Sequence, residues 1–152
     1  MINLRSTTGW VFTLLLISQS LIAQQKRSLT HADYDGWESL SSDKITKNGQ
    51  FVGYQISPQD GDGRLEIFPF KTPTKKTIIP RGTGFLFTPD DAFAVGRIVA
   101  QKDSVRALKL KKKKGDDLPK DSLFILQLAT GKLEKIARVK SFATPTEKGS
   151  WT

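Results

Sequence analysis

From residue 45 onward the chain is built of short apolar runs separated by polar turns, and the runs recur in register. Residues 45–56 align with residues 87–98 at an offset of 42, matching Thr46 to Thr88, Asn48 to Asp90, Phe51 to Phe93 and Ile56 to Ile98. Each copy reads as a polar turn leading into a strand. Residues 65–72 resemble residues 123–130 at an offset of 58, and Ile78 and Ile136 keep that offset. The offset grows from 42 to 58, so the second copy holds an insertion of 16 residues.

Strands are expected at 51–56, 64–70, 75–79, 84–87, 93–98, 123–128 and 133–136, joined by turns rich in Asp, Gly and Pro such as Asp60-Gly61-Asp62-Gly63 and Thr88-Pro89-Asp90-Asp91. The predicted class is all-β. A repeat of about 42 residues holding several short strands has the spacing of one four-stranded sheet of a β-propeller. One such sheet cannot bury both its faces, and ring closure takes about four to eight, so two units predict an incomplete propeller. The expected organisation is a signal peptide at 1–23, a lead-in at 24–44, a first unit at 45–86, a second at 87–140 with its insertion at 102–121, and the start of a further unit at 141–152.

The first residues read as an export signal forming a helix. Arg5 supplies positive charge, residues 10–17 an apolar core, and Ala23 a small residue before polar Gln24. Ser18-Gln19-Ser20 interrupts the apolar run well short of the roughly 20 residues a membrane span needs. A periplasmic or extracellular protein without a transmembrane anchor follows as the expectation. The chain has no cysteine, which removes disulfides, thiolate metal sites and a lipid-modified cysteine at the cleavage point.

The formal net charge is +9, and residues 102–121 concentrate it. Lys102, Arg106, Lys109, Lys111, Lys112, Lys113, Lys114 and Lys120 face only Asp103, Asp116, Asp117 and Asp121 there. Good helix formers carry Val105 and Leu108 on one side, Gly115 supplies a stop, and Asp116-Asp117-Leu118-Pro119 a return turn, so a short helix or protruding loop is expected. No aromatic interleaves the lysines, which argues against a specific nucleic-acid reader. Lys109, Lys111, Lys112, Lys113 and Lys114 are the candidate contacts for a polyanion or acidic partner, against the plainer reading of a solvated lysine face.

Other candidate chemistry is sparse. His31 is the single histidine, so no His-based cluster or relay forms within the chain. Asp60 and Asp62 resemble the start of a calcium loop, yet Arg64, Leu65 and Lys71 stand at its later positions. Asp33 and Asp35 would share one face of an extended strand, with surface or turn roles favoured. Arg81-Gly82-Thr83-Gly84 lacks the lysine of a phosphate loop and reads as a turn into a strand. Trp37 and the phenylalanines at 51, 68, 70, 85, 87 and 93 are expected in the sheet core. Catalytic, metal-binding and cofactor-binding residues are therefore none, and no cofactor is expected.

Asp33-Tyr34-Asp35-Gly36-Trp37, residues 45–54, Gly61-Asp62-Gly63-Arg64-Leu65, Pro80-Arg81-Gly82 and Pro89-Asp90 together resemble the start of exported serine peptidases of the prolyl oligopeptidase family. The run Lys111-Lys112-Lys113-Lys114 followed by Pro119-Lys120-Asp121-Ser122-Leu123 is similar to an insertion in that group. The resemblance covers about residues 26–152. It implies a propeller that, in complete relatives, caps an α/β-hydrolase domain and filters peptides on their way to the active site. The nucleophile elbow of that family needs Ser in a G-x-S-x-G turn, with Asp and His following. Gly149-Ser150-Trp151 lacks the second glycine and has no histidine after it, so the resemblance implies no catalytic residue here. The chain is expected to be non-catalytic by itself, to meet peptide substrate only within a full-length enzyme, and to associate through open sheet edges. The alternative is an exported basic module that binds an acidic partner or surface through the lysines.

Overall fold

The computed structural model describes residues 27–145; the signal helix expected at 1–23 and Gly149-Ser150-Trp151 lie outside the described residues. A short helix, α1 (His31–Asp35), precedes eight strands in two antiparallel meanders. The first sheet holds β1 (Glu38–Ile45), β2 (Phe51–Pro58), β3 (Arg64–Pro69) and β4 (Thr77–Pro80) in sequential order. The second holds β5 (Gly82–Phe87), β6 (Phe93–Ile98), β7 (Ser122–Gln127) and β8 (Leu133–Ile136), again in sequential order. Between β6 and β7 stand α2 (Lys102–Leu110) and a single 3₁₀ turn at Gly115–Asp117. The all-β class holds, and the insertion forms a helix.

The sequence repeat is a hydrogen-bond repeat. In the first sheet Thr46 N–H donates to the Phe51 carbonyl at 3.0 Å, Phe51 N–H returns to Thr46 Oγ1 at 3.0 Å, and Gly49 N–H donates to the Thr46 carbonyl at 2.9 Å. In the second, Thr88 N–H donates to the Phe93 carbonyl at 2.9 Å, Phe93 N–H to Thr88 Oγ1 at 3.0 Å, and Asp91 N–H to the Thr88 carbonyl at 2.9 Å. Each threonine is 2% exposed, and its hydroxyl also donates to the side chain at the third turn position, Asn48 or Asp90. Without the hydroxyl the Phe51 or Phe93 N–H would lose its acceptor, a loss worth about 1–3 kcal/mol where the donor is left buried and unpaired. The irregularities repeat as well. Register breaks between Ser41 and Lys44 and between Thr83 and Leu86, each at a residue of positive φ, Ser42 at 53° and Gly84 at 57°.

The sheets stack face to face, and the close approach needs glycine. A Cβ on Gly53 would stand 2.8 Å from the Phe85 ring, and one on Gly82 2.8 Å from Leu65 Cβ. Leu65, Ile67 and Ile79 of the first sheet meet Phe85, Ala94, Ile98, Phe124 and Leu126 of the second in one core, with Phe51 and Phe87 packed against it. Polar ties close the rims. The Asp91 carboxylate accepts Lys47 N–H at 3.0 Å and Asn48 N–H at 2.9 Å, and Thr83 Oγ1 donates to Gln55 Oε1 at 2.8 Å.

Several expectations are corrected. The first sheet begins at Glu38, inside the expected lead-in, because β1 pairs with β2 through its main chain while every residue of β1 is exposed. Trp37 is 53% exposed and Phe70 64% exposed, so neither belongs to the core. Phe68 lies on the outer face of the first sheet, ring edge to face with Tyr54 at 5.7 Å. Asp33 and Asp35 belong to the helix α1 and not to an extended strand. Ile136 matches Ile79 and not Ile78, since Leu65 pairs with Ile79 and Leu123 with Ile136. The tight turn in which Gly131 N–H reaches the Gln127 carbonyl at 2.8 Å closes the second hairpin one residue sooner.

Candidate functional site

The lysine-rich insertion is anchored at its base and bare at its tip. α2 starts where Lys102 N–H, one of the helix's orphan amides, donates to Asp62 Oδ1 of the β2–β3 turn at 2.9 Å. That bond gives Asp62 a structural partner, and Asp60 Oδ1 accepts its neighbour Gly61 N–H at 2.9 Å. Among the described residues no group of three or more His, Cys, Asp or Glu is arranged to hold a metal ion.

The helix ends earlier than the glycine suggests. Lys113 N–H donates to the Leu108 carbonyl at 3.0 Å and Lys112 N–H to the Lys109 carbonyl at 2.9 Å, with Lys112 at φ 59°. This is the paired-bond C-terminal motif that normally uses glycine at its left-handed position, here filled by lysine. Gly115, at φ 55°, instead opens the 3₁₀ turn.

The geometry brings Lys109, Lys112, Lys113 and Lys114 around an open concavity of about 760 Å³ with Gly115 and Leu118. Lys111 is exposed on the same tip. Lys113 pairs with Asp117 at 3.4 Å, and Lys120 with Asp116 at 2.7 Å, which holds the Asp116 carboxyl below its ordinary range through that hydrogen bond. Lys109, Lys111, Lys112 and Lys114 have no carboxylate within ion-pair reach among the described residues. Four ammonium groups without carboxylate partners among the described residues can hold an anionic surface. A wider groove of about 970 Å³ runs beneath α2 between Val105, Arg106 and Leu110 on one side and Asp60, Val99 and Asp121 on the other.

A second cluster occupies the outer face of the first sheet. Glu66 is 2% exposed, yet it accepts hydrogen bonds from Arg64 Nε at 2.8 Å, Lys76 Nζ at 2.9 Å and Tyr54 Oη at 3.2 Å. Arg64 also forks onto both oxygens of Glu38. The Arg64 bond, then the Lys76 bond, hold the Glu66 carboxyl below its usual range against the opposing pull of burial. Arg64 lowers Glu38 in the same way, and burial followed by the charge of Glu66 raises the Tyr54 phenol. Sequence reasoning missed this cluster. Its signal was the alternation of Arg64 and Glu66 with Leu65 and Ile67, opposite charges two apart on one strand face.

Comparison with protein-family models, with curated proteins and with solved structures gives no match.

Proposed function

We propose that this chain is a non-catalytic, exported segment of a β-propeller, two sheets wide, of the kind that gates substrate in prolyl-oligopeptidase-like serine peptidases. The observation that carries the reading is the stacking of two sheets of one repeat, each with the same threonine-anchored turn between its first two strands and locked to its neighbour by Asp91 and by Phe85 seated on Gly53. A propeller is such a stack continued around an axis. In a complete enzyme its contribution would be exclusion: a narrow passage through the ring admits extended peptides and turns folded proteins away. Two tests apply. The purified chain should cleave no prolyl peptide, and turnover that survives further purification refutes the reading. A coding frame that runs on past codon 152 into G-x-S-x-G supports it, and a stop there with no hydrolase encoded nearby counts against it.

A second reading is favoured by the four lysines without carboxylate partners: a basic module that docks on an acidic partner or surface. Binding to an immobilised polyanion should then weaken steeply with added salt and vanish when Lys109, Lys111, Lys112 and Lys114 are changed to Gln. Binding that ignores either change removes this alternative.

A further inference from the structure

The outer face of the second sheet repeats the docking face of the first. Carried forward by the offsets of 42 and 58, Phe51 becomes Phe93, Gly53 becomes Val95, Leu65 becomes Leu123 and Ile67 becomes Ile125. Strand register adds Ile136 as the match of Ile79. In the first sheet Leu65, Ile67 and Ile79 are at most 2% exposed because the second sheet covers them. In the second sheet the same face is apolar: Val95 and Leu123 are buried, Phe93 and Ile125 half-buried, and Ile136 remains 48% exposed.

What lies on that face is the segment after β8. Arg138 turns with φ 59°, as Arg81 turns with φ 60° at the entry to β5. Val139 N–H donates to the Asp121 carbonyl at 3.0 Å, as Arg81 N–H donates to the Gly63 carbonyl at 2.8 Å, a pair displaced by 58 residues, the donor standing one residue after the left-handed arginine in the later copy. Phe142 and Thr144 are half-buried while Ser141, Ala143 and Pro145 are exposed, the period of a strand laid on a sheet. Phe142 stands over the second sheet at a cavity of about 350 Å³ that it lines together with Thr88, Phe93, Val95, Leu123 and Ile125. Where Gly53 leaves room for the Phe85 ring, the matching position of the second sheet holds Val95. Beyond the described residues the sequence itself continues the pattern. Thr146-Glu147-Lys148-Gly149-Ser150-Trp151 has the threonine, glycine and aromatic spacing of Thr46-Lys47-Asn48-Gly49-Gln50-Phe51, and its Thr146 and Trp151 stand 58 residues after Thr88 and Phe93.

We infer that the outer face of β5–β8 is the docking surface for a third sheet of this same repeat, with residues 139–145 as its first strand. The inference rests on the internal repeat, so it stands whether or not the molecule gates a peptidase. Because the chain contains no cysteine, a single introduced thiol reports on one place. Ile125→Cys would report on the docking face, and Val52→Cys, on the outer face of the first sheet, is the control. The full chain, extended after Trp151 by a copy of its own residues 94–140, can complete the third sheet. Labelling of Ile125→Cys by a thiol reagent should then slow by about tenfold relative to the unextended chain while Val52→Cys is unchanged. An extended chain that melts cooperatively but labels at the unextended rate overturns the inference. If the extension does not fold, Phe142→Ala in the chain of natural length decides: labelling of Ile125→Cys should rise several-fold, and an unchanged rate refutes the docking role. Protection that grows with protein concentration in the unextended chain would assign the face to a second copy, which also overturns it.

Discussion

Glu66 occupies in the first sheet the place that Phe124 holds in the second, since each pairs with the matching residue of the preceding strand, Tyr54 or Gly96. One position therefore carries a buried carboxylate in one copy and a core aromatic in the other. The carboxylate survives burial only because Arg64, Lys76 and Tyr54 satisfy it. Its folded-state proton affinity lies below that of the unfolded chain, so the network's contribution is complete above the ordinary carboxylate range and is lost as pH falls through the depressed folded value. Glu66→Gln should cost about 1.5–3 kcal/mol at neutral pH, the worth of a charge-assisted hydrogen bond, and should flatten the acid limb of the stability curve. Urea unfolding between about pH 3 and pH 7 measures both effects; parallel curves for the two proteins would show that Glu66 does not titrate with folding.

The elements divide by how each was legible in the sequence. β2 and β3 announce themselves through loosely alternating apolar residues, because one face of each is buried against the second sheet, while β6 and β7 read as short continuous apolar runs, apolar on both faces. β1 has no such signal. Glu38–Ile45 is exposed throughout and is held by main-chain pairing to β2, so hydrophobic patterning had nothing to register. The end of α2 was misread for a related reason: a lysine took the left-handed position that glycine usually marks. The lysine tip itself was legible, while its anchor through Asp62 depends on a turn 40 residues away and left no local trace. None of α2 is buried, so the insertion is separable from the sheets. Replacing residues 99–121 by the Gln59-Asp60-Gly61-Asp62-Gly63 connection of the first sheet should lower stability by only about 1 kcal/mol, the value of the lost Asp62 bond, and leave the β-sheet circular dichroism intact. A collapse of the fold would show that the hairpin is structural after all.

Across the described sheets, stability is shared, because the core belongs to neither sheet alone. Leu65 and Ile67 are covered by residues of β5 to β7, and Phe85 is 1% exposed against Gly53. Gly53→Ala would push a methyl group to within 2.8 Å of the Phe85 ring and force that ring aside. Overpacking of this kind costs about 1–3 kcal/mol. Calorimetry should show one transition moved to lower temperature for both sheets together; two separated transitions would mean that each sheet is stable without its neighbour.

The charged cluster around Glu66 has a consequence for how molecules of this kind meet. The outer face of the first sheet carries an ion-paired cluster whose carboxylate is already withdrawn from water, whereas the matching face of the second sheet is apolar, so a head-to-tail encounter would bring together two unlike surfaces. Open-ended filaments require two ends that suit each other. Here the two end faces differ, so identical copies offer each other no matched head and tail, and a sheet that covers the first face must answer its charges.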